Sequence, residues 1–180
     1  MHRSIAGRLG KMPAFVRLAN TMELRAAALH ALLDADPAAK ARAVAALAAA
    51  CKAGQVAIDT QAVMTAPPGI PGRPVRPELV PPLQVGRRSM GTPEGRAMLV
   101  HALAHIEFNA VNLALDALWR FDGMPEQYYL DWLLVADEEA LHFTMLSDHL
   151  GTLGYAYGDF PGHDSLWEMV AKTSDDVLAR

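Results

Sequence analysis

The sequence predicts an all-α protein, and three features of its 180 residues support this prediction. Apolar residues make up 52% of the chain, and alanine and leucine, which favour helices, dominate them. β-branched residues are sparse, and no segment alternates between apolar and polar residues for long enough to form a half-buried strand. Capping residues and prolines stand where helices would begin. We therefore expect helices joined by loops.

Changes in composition divide the chain into three predicted regions. Residues 1–65 form an N-terminal helical region, with a basic arm over the first 22 residues and a helix over 21–34. A second helical run extends from Pro37 to about Val63, and Gly54 either weakens or breaks it. Residues 66–92 contain seven prolines and form a connecting loop that can be neither helix nor central strand. Residues 93–180 form the helical part that carries the candidate site.

The third region is predicted to contain an antiparallel hairpin over residues 93–151. Thr92 and Pro93 open its first helix with a cap and a proline at the first helical position, and the helix should end near Phe121. Gly123 reverses the chain, and the return helix should extend to about Leu150. A last helix is expected from about His163 to Arg180.

Two acidic residues of this hairpin are predicted to face each other at the same height. Glu107 lies 16 residues before Gly123, and Glu139 lies 16 residues after it. Because both helices rise by ~1.5 Å per residue, the two carboxylates should meet across the hairpin without distortion. His142, one turn beyond Glu139, can reach the same point.

Helical periodicity places these acids on apolar faces. On the first helix, Glu107 shares a face with Leu99, Leu103, Ile106, Ala110, Leu113, Ala114 and Ala117, whereas His105, Asn109, Asn112 and Asp116 form a separate polar stripe. On the return helix, Glu139 shares a face with Tyr128, Trp132, Val135, Phe143, Leu146 and Leu150. An ionised carboxylate directed into a core costs several kcal/mol unless it is paired or binds a metal.

The pattern of one Glu opposite a Glu-x-x-His predicts a metal site made of Glu107, Glu139 and His142. It is half of the inward-facing ligand set of carboxylate-bridged di-iron and di-manganese bundles. Oxygen ligands with one imidazole favour iron, or else manganese, over structural zinc. The alternative is a metal-free helical protein, structural or partner-binding, in which Glu139 and His142 simply pair.

Three further side chains are candidates for holding these ligands in place through hydrogen bonds. His101 and His105 lie one turn apart on the first helix, a spacing that can also bind a metal. They lie on the polar stripe away from Glu107, which favours a supporting or structural role. Tyr128 is the third candidate; a place in the core is the favoured interpretation, and a redox-active tyrosine near a di-iron site is the alternative.

Composition also excludes several classes of function. The net charge of −4 and the pI near 5.9 argue against a general nucleic-acid binder. A single cysteine, Cys51, fits a reducing cytoplasm, and no uninterrupted apolar run reaches the ~20 residues of a membrane helix. The arginines of the loop are either solvated or form an anion-binding or RNA-facing patch; they are Arg73, Arg76, Arg87 and Arg88.

Two consecutive stretches of the chain resemble the bacterial family called domain of unknown function 455. They are residues 71–100, PGRPVRPELVPPLQVGRRSMGTPEGRAMLV, and residues 101–150, HALAHIEFNAVNLALDALWRFDGMPEQYYLDWLLVADEEALHFTMLSDHL. The resemblance covers roughly residues 66–178 and implies a ferritin-like fold without an established biochemical function. By fold alone it points to di-iron oxidases and hydroxylases, including those that act on tRNA. The substrate, whether a small molecule or tRNA, stays open.

The resemblance also implies an incomplete site. Members of the family look longer, and a second helical pair would supply another Glu and another Glu-x-x-His after the position of Arg180, so this chain looks truncated. A di-metal site needs about six protein ligands, and this chain offers three. Either the site is incomplete, or a symmetric homodimer completes it through the exposed hairpin, giving an iron-binding or ferroxidase centre.

Overall fold

A computed structural model describes residues 22–86 and 89–180. The protein is mostly helical, which confirms the all-α prediction. Its helices are α1 (Leu24–Leu33), α2 (Pro37–Lys52), α3 (Pro93–Arg120), α4 (Glu126–Thr152) and α5 (Ser165–Lys172). Two short strands, β1 (Met22–Glu23) and β2 (Val56–Ala57), pair in parallel, and Pro82–Gln84 form a 3₁₀ turn. The predicted basic arm, up to residue 21, and Arg87 and Arg88 lie outside the described residues.

Two helices begin where their capping residues predict. The Asp36 carboxylate accepts a hydrogen bond from Ala39 N at 2.6 Å, and Pro37 is the first residue of α2. Thr92 Oγ1 accepts one from Gly95 N at 3.0 Å at the start of α3. These side chains satisfy backbone N–H groups that have no partner within the helix.

The prediction that the second helix extends to about Val63 is wrong. α2 ends at Lys52, because Gly54 adopts a left-handed conformation with φ +68°. Gln55 N then donates to Ala50 O and Gly54 N to Cys51 O, the two bonds of a Schellman cap. The glycine therefore ends the helix, and the chain continues into β2.

The last helix is also shorter than predicted, since α5 ends at Lys172 and does not reach Arg180. The Thr173 hydroxyl bonds back to Met169 O, and Asp176 accepts hydrogen bonds from Leu178 N and Ala179 N. Such short polar side chains compete with helical backbone bonds. The chain turns there and brings Arg180 back against α3.

The α3–α4 hairpin is the centre of the fold. α1 packs on α3, α2 packs on α4, and α5 packs on α3. The largest fully buried apolar side chains come from all four longer helices and are Trp119, Tyr129, Leu24, Leu32, Leu115, Leu118, Leu150, Val44 and Val111. Among the described helices, α3 has the length and hydropathy of a membrane span, but half of that stretch is buried inside the protein, as in an ordinary core helix.

A fully buried lysine joins three parts of this core. Lys40 of α2 donates to Leu32 O at 3.1 Å, to Gly72 O at 3.0 Å and to the side-chain oxygen of Asn112 on α3. Its ammonium also lies 5.0 Å from the centre of the Phe108 ring. Burial lowers the pKa of Lys40 to about 7, while three acceptors around three N–H groups favour the charged form.

We expect Lys40→Met to lower the free energy of unfolding by about 2–4 kcal/mol, because it leaves buried acceptors without a donor. Lys52→Met is the matched control: Lys52 is 70% exposed and pairs with Asp137 at 3.2 Å, so its removal should cost under ~1 kcal/mol. Denaturant unfolding followed by circular dichroism measures both changes. Equal losses in the two variants would contradict the role given to Lys40.

Candidate metal centre

Glu107, Glu139 and His142 lie together midway along the hairpin. One ligand atom from each side chain lies within 4.8 Å of the other two. Glu107 comes from α3, and the other two residues come from α4. Two atoms bonded to one ion lie at most about two bond lengths apart, or ~4–5 Å, so small side-chain movements would let all three bind one ion.

The turn between the helices explains why the two carboxylates meet. Gly123 has φ +68°, a conformation that favours glycine, and its N–H donates to Thr60 O at 2.6 Å. α3 ends at Arg120 and α4 begins at Glu126, so the chain reverses about this glycine. Glu107 and Glu139 are therefore at the same height, as the sequence predicts.

The environment of Glu107 favours its protonated form. Its pKa rises to about 7, first because partial burial removes water from the carboxylate, and then because Glu139 accepts a hydrogen bond from it and adds a negative charge. His142 acts in the opposite direction. Two carboxylates this close cannot both ionise without cost, so they share a proton or need a cation.

Glu139 and His142 form a pair on α4. His142 Nδ1 lies 3.1 Å from Glu139 Oε2, one helical turn away. The Glu139 side chain is 24% exposed and the His142 side chain is 53% exposed. The cluster is thus open to solvent on one side, whereas helical periodicity predicted that both acids lie on apolar faces directed into the core.

The structure reverses part of the pattern predicted for α3, although Ala114 and Ala117 of the predicted apolar face are buried. Leu103 and Ile106, predicted to lie on the apolar core face with Glu107, are 40% and 50% exposed. The predicted polar stripe is buried instead: His105, Asn109, Asn112 and Asp116 are at most 6% exposed. α1 and α5 pack on α3, and α2 packs on α4. These helices leave the flank that carries Leu103 and Ile106, beside the cluster, partly open.

Asp116 of the buried stripe is satisfied by one arginine of the same helix and one from a distant part of the chain. Asp116 accepts two hydrogen bonds from Arg120 at 2.7 and 2.8 Å and a third from Arg180. Arg180 also donates to Val170 O and Thr173 Oγ1 at 2.9 Å each, and its guanidinium lies over the Phe121 ring. A buried carboxylate is tolerated here because two guanidinium groups neutralise it.

The two histidines proposed to support the ligands have other partners. His101 accepts a hydrogen bond from Gly158 N at 2.9 Å and stacks on the Tyr157 ring. His105 contacts Tyr157 Oη and His163 O, at 2.9 Å each, and burial lowers its pKa. Both residues are more than ~100° around α3 from Glu107. They hold the segment that follows α4 against α3, which is a structural role.

Tyr128 is also remote from the cluster. It precedes Glu139 by 11 residues on α4, or ~16 Å along the helix. Its hydroxyl lies 3.4 Å from Ala117 O, and burial raises its pKa to about 12. Tyr128 therefore packs near the turn of the hairpin and does not support the ligands.

Sequence reasoning missed the buried cations that hold α3. Lys40 binds Asn112 over a separation of 72 residues, and Arg180 binds Asp116 over 64 residues. Arg25 is buried too, and it donates to Asp59 O, Ala62 O and Trp119 O. A lysine in an alanine-rich helix looks like a solvated residue, so no local signal distinguishes it.

Comparison with known proteins gives a family. The family model described as "Protein of unknown function (DUF455)" matches residues 33–180. The chain belongs to this family. An uncharacterised protein of Haemophilus influenzae (strain ATCC 51907 / DSM 11121 / KW20 / Rd) is 49% identical to it over 114 residues, which cover 59% of this chain and 40% of that relative. The chain thus spans about two-fifths of the length of the curated relative that it matches. No solved structure gives a significant match.

The raised pKa of Glu107 predicts how the stability of the metal-free DUF455 protein depends on pH. In the folded protein the pKa of Glu107 is about 7, whereas its ordinary value is 4.5. Folded Glu107 therefore keeps its proton to a higher pH than unfolded Glu107 does. Between these values the folded state binds more protons than the unfolded state, so the free energy of unfolding falls as the pH rises. We expect the wild type to lose stability relative to Glu107→Gln between about pH 5 and about pH 8.

Chelator-treated protein unfolded in denaturant at several pH values would measure this. The variant keeps the shape of the side chain and cannot ionise, so subtraction removes the contribution of the titrating groups that do not interact with Glu107, and the difference reports on the coupled cluster. A difference between the two proteins that stays constant over this range would contradict the prediction.

Proposed function

We propose that Glu107, Glu139 and His142 bind iron, or alternatively manganese, and that this DUF455 protein has the ancestry of ferritin-like di-metal carboxylate oxidases and hydroxylases. The observation that carries the proposal is the convergence of the three ligand atoms, from two different helices, to within 4.8 Å of one another. A Glu-x-x-His on one helix opposite a Glu on its neighbour is the arrangement that such bundles use.

The donor set agrees with this choice of metal. Two carboxylates and one imidazole are the ligands that iron and manganese accept, whereas a structural zinc site would favour cysteines. Glu107 holds a proton that a bound cation would displace, because the cation supplies the positive charge that the proton now supplies. When bound, iron would supply the activation of O₂ for oxidation of a substrate.

The residues of the chain would position the metal and keep its surroundings partly dry. α3 and α4 are long helices, so their ligands are held more rigidly than ligands on loops. Val135 and Leu146, the neighbours of Glu139 and His142 on the same face of α4, are half-buried and limit access of water. The exposed flank leaves room for a substrate or a further protein surface.

Three ligands are half of what a di-metal centre needs, so we further propose that a second copy of the chain completes it. In a two-fold dimer each copy would donate Glu107, Glu139 and His142 to one four-helix bundle. The partial exposure of Leu103 and Ile106, one turn before Glu107 and next to it, supports this. Burial of these side chains in an interface would remove them from water.

A metal-free structural or partner-binding protein is the second candidate. The hydrogen bonds within the cluster favour it, since Glu139 is bonded to both Glu107 and His142 without any ion. Partial exposure also reduces the cost of an empty acidic cluster. The two candidates differ in their metal content.

The metal proposal predicts stoichiometric iron that depends on Glu139. Protein purified anaerobically with added Fe(II) should bind iron, and Glu139→Ala should lower the bound iron by about ten-fold or more, because one carboxylate ligand is lost. Glu138→Ala is the matched control, since Glu138 is the adjacent, exposed acid outside the cluster. Metal analysis after desalting measures all three proteins. Equal iron in wild type and Glu139→Ala would reject the site, and tight iron in the wild type would reject the metal-free candidate.

The dimer proposal predicts a mass of twice 19.4 kDa. Light scattering after size exclusion, at several concentrations with Fe(II), should show this mass for the wild type and the monomer mass for Ile106→Arg, which places a charge in the interface. Leu83→Arg is the control, because Leu83 is fully exposed on the 3₁₀ turn. A wild type that stays monomeric at every concentration would contradict completion by a second copy.

A further inference from the structure

A cavity lies on the other side of α3 from the candidate metal cluster. Its volume is about 310 Å³, which is at the lower end of the range for small-molecule pockets. It is surrounded by residues 73–79 of the proline-rich connecting loop, by α3 and by the segment after α4. Its lining residues are Arg73, Pro74, Val75, Pro77, Glu78, Leu79, His105, Phe108, Asn109 and Tyr157.

The walls of this cavity are fixed to one another. Arg73 Nη2 donates to both carboxylate oxygens of Asp164, at 2.7 and 2.8 Å. Gly162 N donates to Glu78 O, and Val80 N donates to Gly162 O, at 2.9 Å each. The proline-rich part of the connecting loop is therefore held against the segment after α4. No movement of these walls is needed to form the cavity. A long loop with this degree of order is usually functional.

Flat groups form much of the lining. The Phe108 and Tyr157 ring centres lie 5.7 Å apart, and the His105 and Tyr157 rings stack with an angle of 25° between them. Pro74 and Pro77 add rigid apolar surface. Such surfaces favour a ligand with a planar body.

The polar groups of the cavity offer both donors and acceptors. Both Arg73–Asp164 bonds use Nη2, so the other nitrogens of the guanidinium keep three N–H donors. The Asn109 amide nitrogen bonds to His105, and its carbonyl oxygen is an acceptor that those bonds do not use. A ligand with an acceptor beside an N–H donor, as in an amide, would match this set.

The charges of the lining disfavour an anion. Asp164 neutralises Arg73, and Glu78 adds an exposed negative charge at the rim. A cation would in turn meet the guanidinium. We propose that this cavity binds a small, uncharged, planar molecule with an amide-type edge, such as a carboxamide or a neutral nitrogen heterocycle.

This proposal is independent of the metal site. His105 and Asn109 are directed to the side of α3 away from Glu107, roughly 160–200° around the helix. Binding to the cavity should therefore survive the loss of Glu139. The Glu139→Ala variant separates failure of the cavity proposal from failure of the metal proposal.

Benzamide, benzoate and benzamidine test the proposal, since the three probes share a shape and differ in charge. Ligand-observed NMR on the full chain should show benzamide binding with an affinity about five-fold or more above that of either charged probe. Val75→Trp, at a residue of the cavity mouth that is 99% exposed, should weaken benzamide by about five-fold or more without affecting the core. Val63→Trp is the matched control, because Val63 is an 86% exposed loop valine outside the cavity.

The expected pattern is benzamide binding in wild type, Val63→Trp and Glu139→Ala, with a loss in Val75→Trp. Absence of benzamide binding at millimolar concentration would overturn the proposal. So would equal binding by Val75→Trp and Val63→Trp, or tighter binding of benzoate than of benzamide.

Discussion

The buried polar side of α3 is the constraint on which the arrangement of the other elements depends. Asn112 binds Lys40 of α2, Asp116 binds Arg180, and His105 binds the backbone of His163. Each contact attaches a different part of the chain to the same side of one helix. That side is consequently covered, and the flank that carries Glu107 is left partly open. The location of the candidate metal cluster follows from this asymmetry.

These contacts also fix the rotation of α3 about its axis. Buried charges are tolerated only where partners satisfy them, and removal of one partner costs several kcal/mol. A change of register by one residue would turn every side chain by ~100° and remove Asn112 and Asp116 from their cations. Apolar contacts alone would resist such a rotation less than these polar contacts do. One face of leucine and alanine side chains can replace another at a smaller cost in free energy. We infer that the buried contacts of Lys40 and Arg180 determine the direction in which Glu107 points.

The sequence predicted the height of the cluster but not its surroundings. Height depends on the helical rise and on a tight reversal at Gly123, and both are local properties that a sequence displays. Which flank of α3 is covered depends on Lys40 and Arg180, whose partners are 72 and 64 residues away. Apolar character alone did not distinguish the covered flank of α3 from the flank that carries Leu103 and Ile106. The end of α2 was a different kind of error, because Gly54 was visible as a breaking residue but its left-handed conformation was not.

The electrostatics of the cluster support the proposal that it binds a cation. In the absence of an ion, partial burial of Glu107, and then its hydrogen bond to Glu139 and the negative charge of Glu139, raise the pKa of Glu107 to about 7, so that the two acids share a proton. The helices keep the two carboxylates close, because α3 cannot rotate away without breaking its buried contacts. The two carboxylates are therefore already close together in the folded protein before any ligand arrives. A divalent cation between the carboxylates would relieve their mutual repulsion more completely than one proton does, since it carries twice the charge and can bond to both acids and to His142 at once.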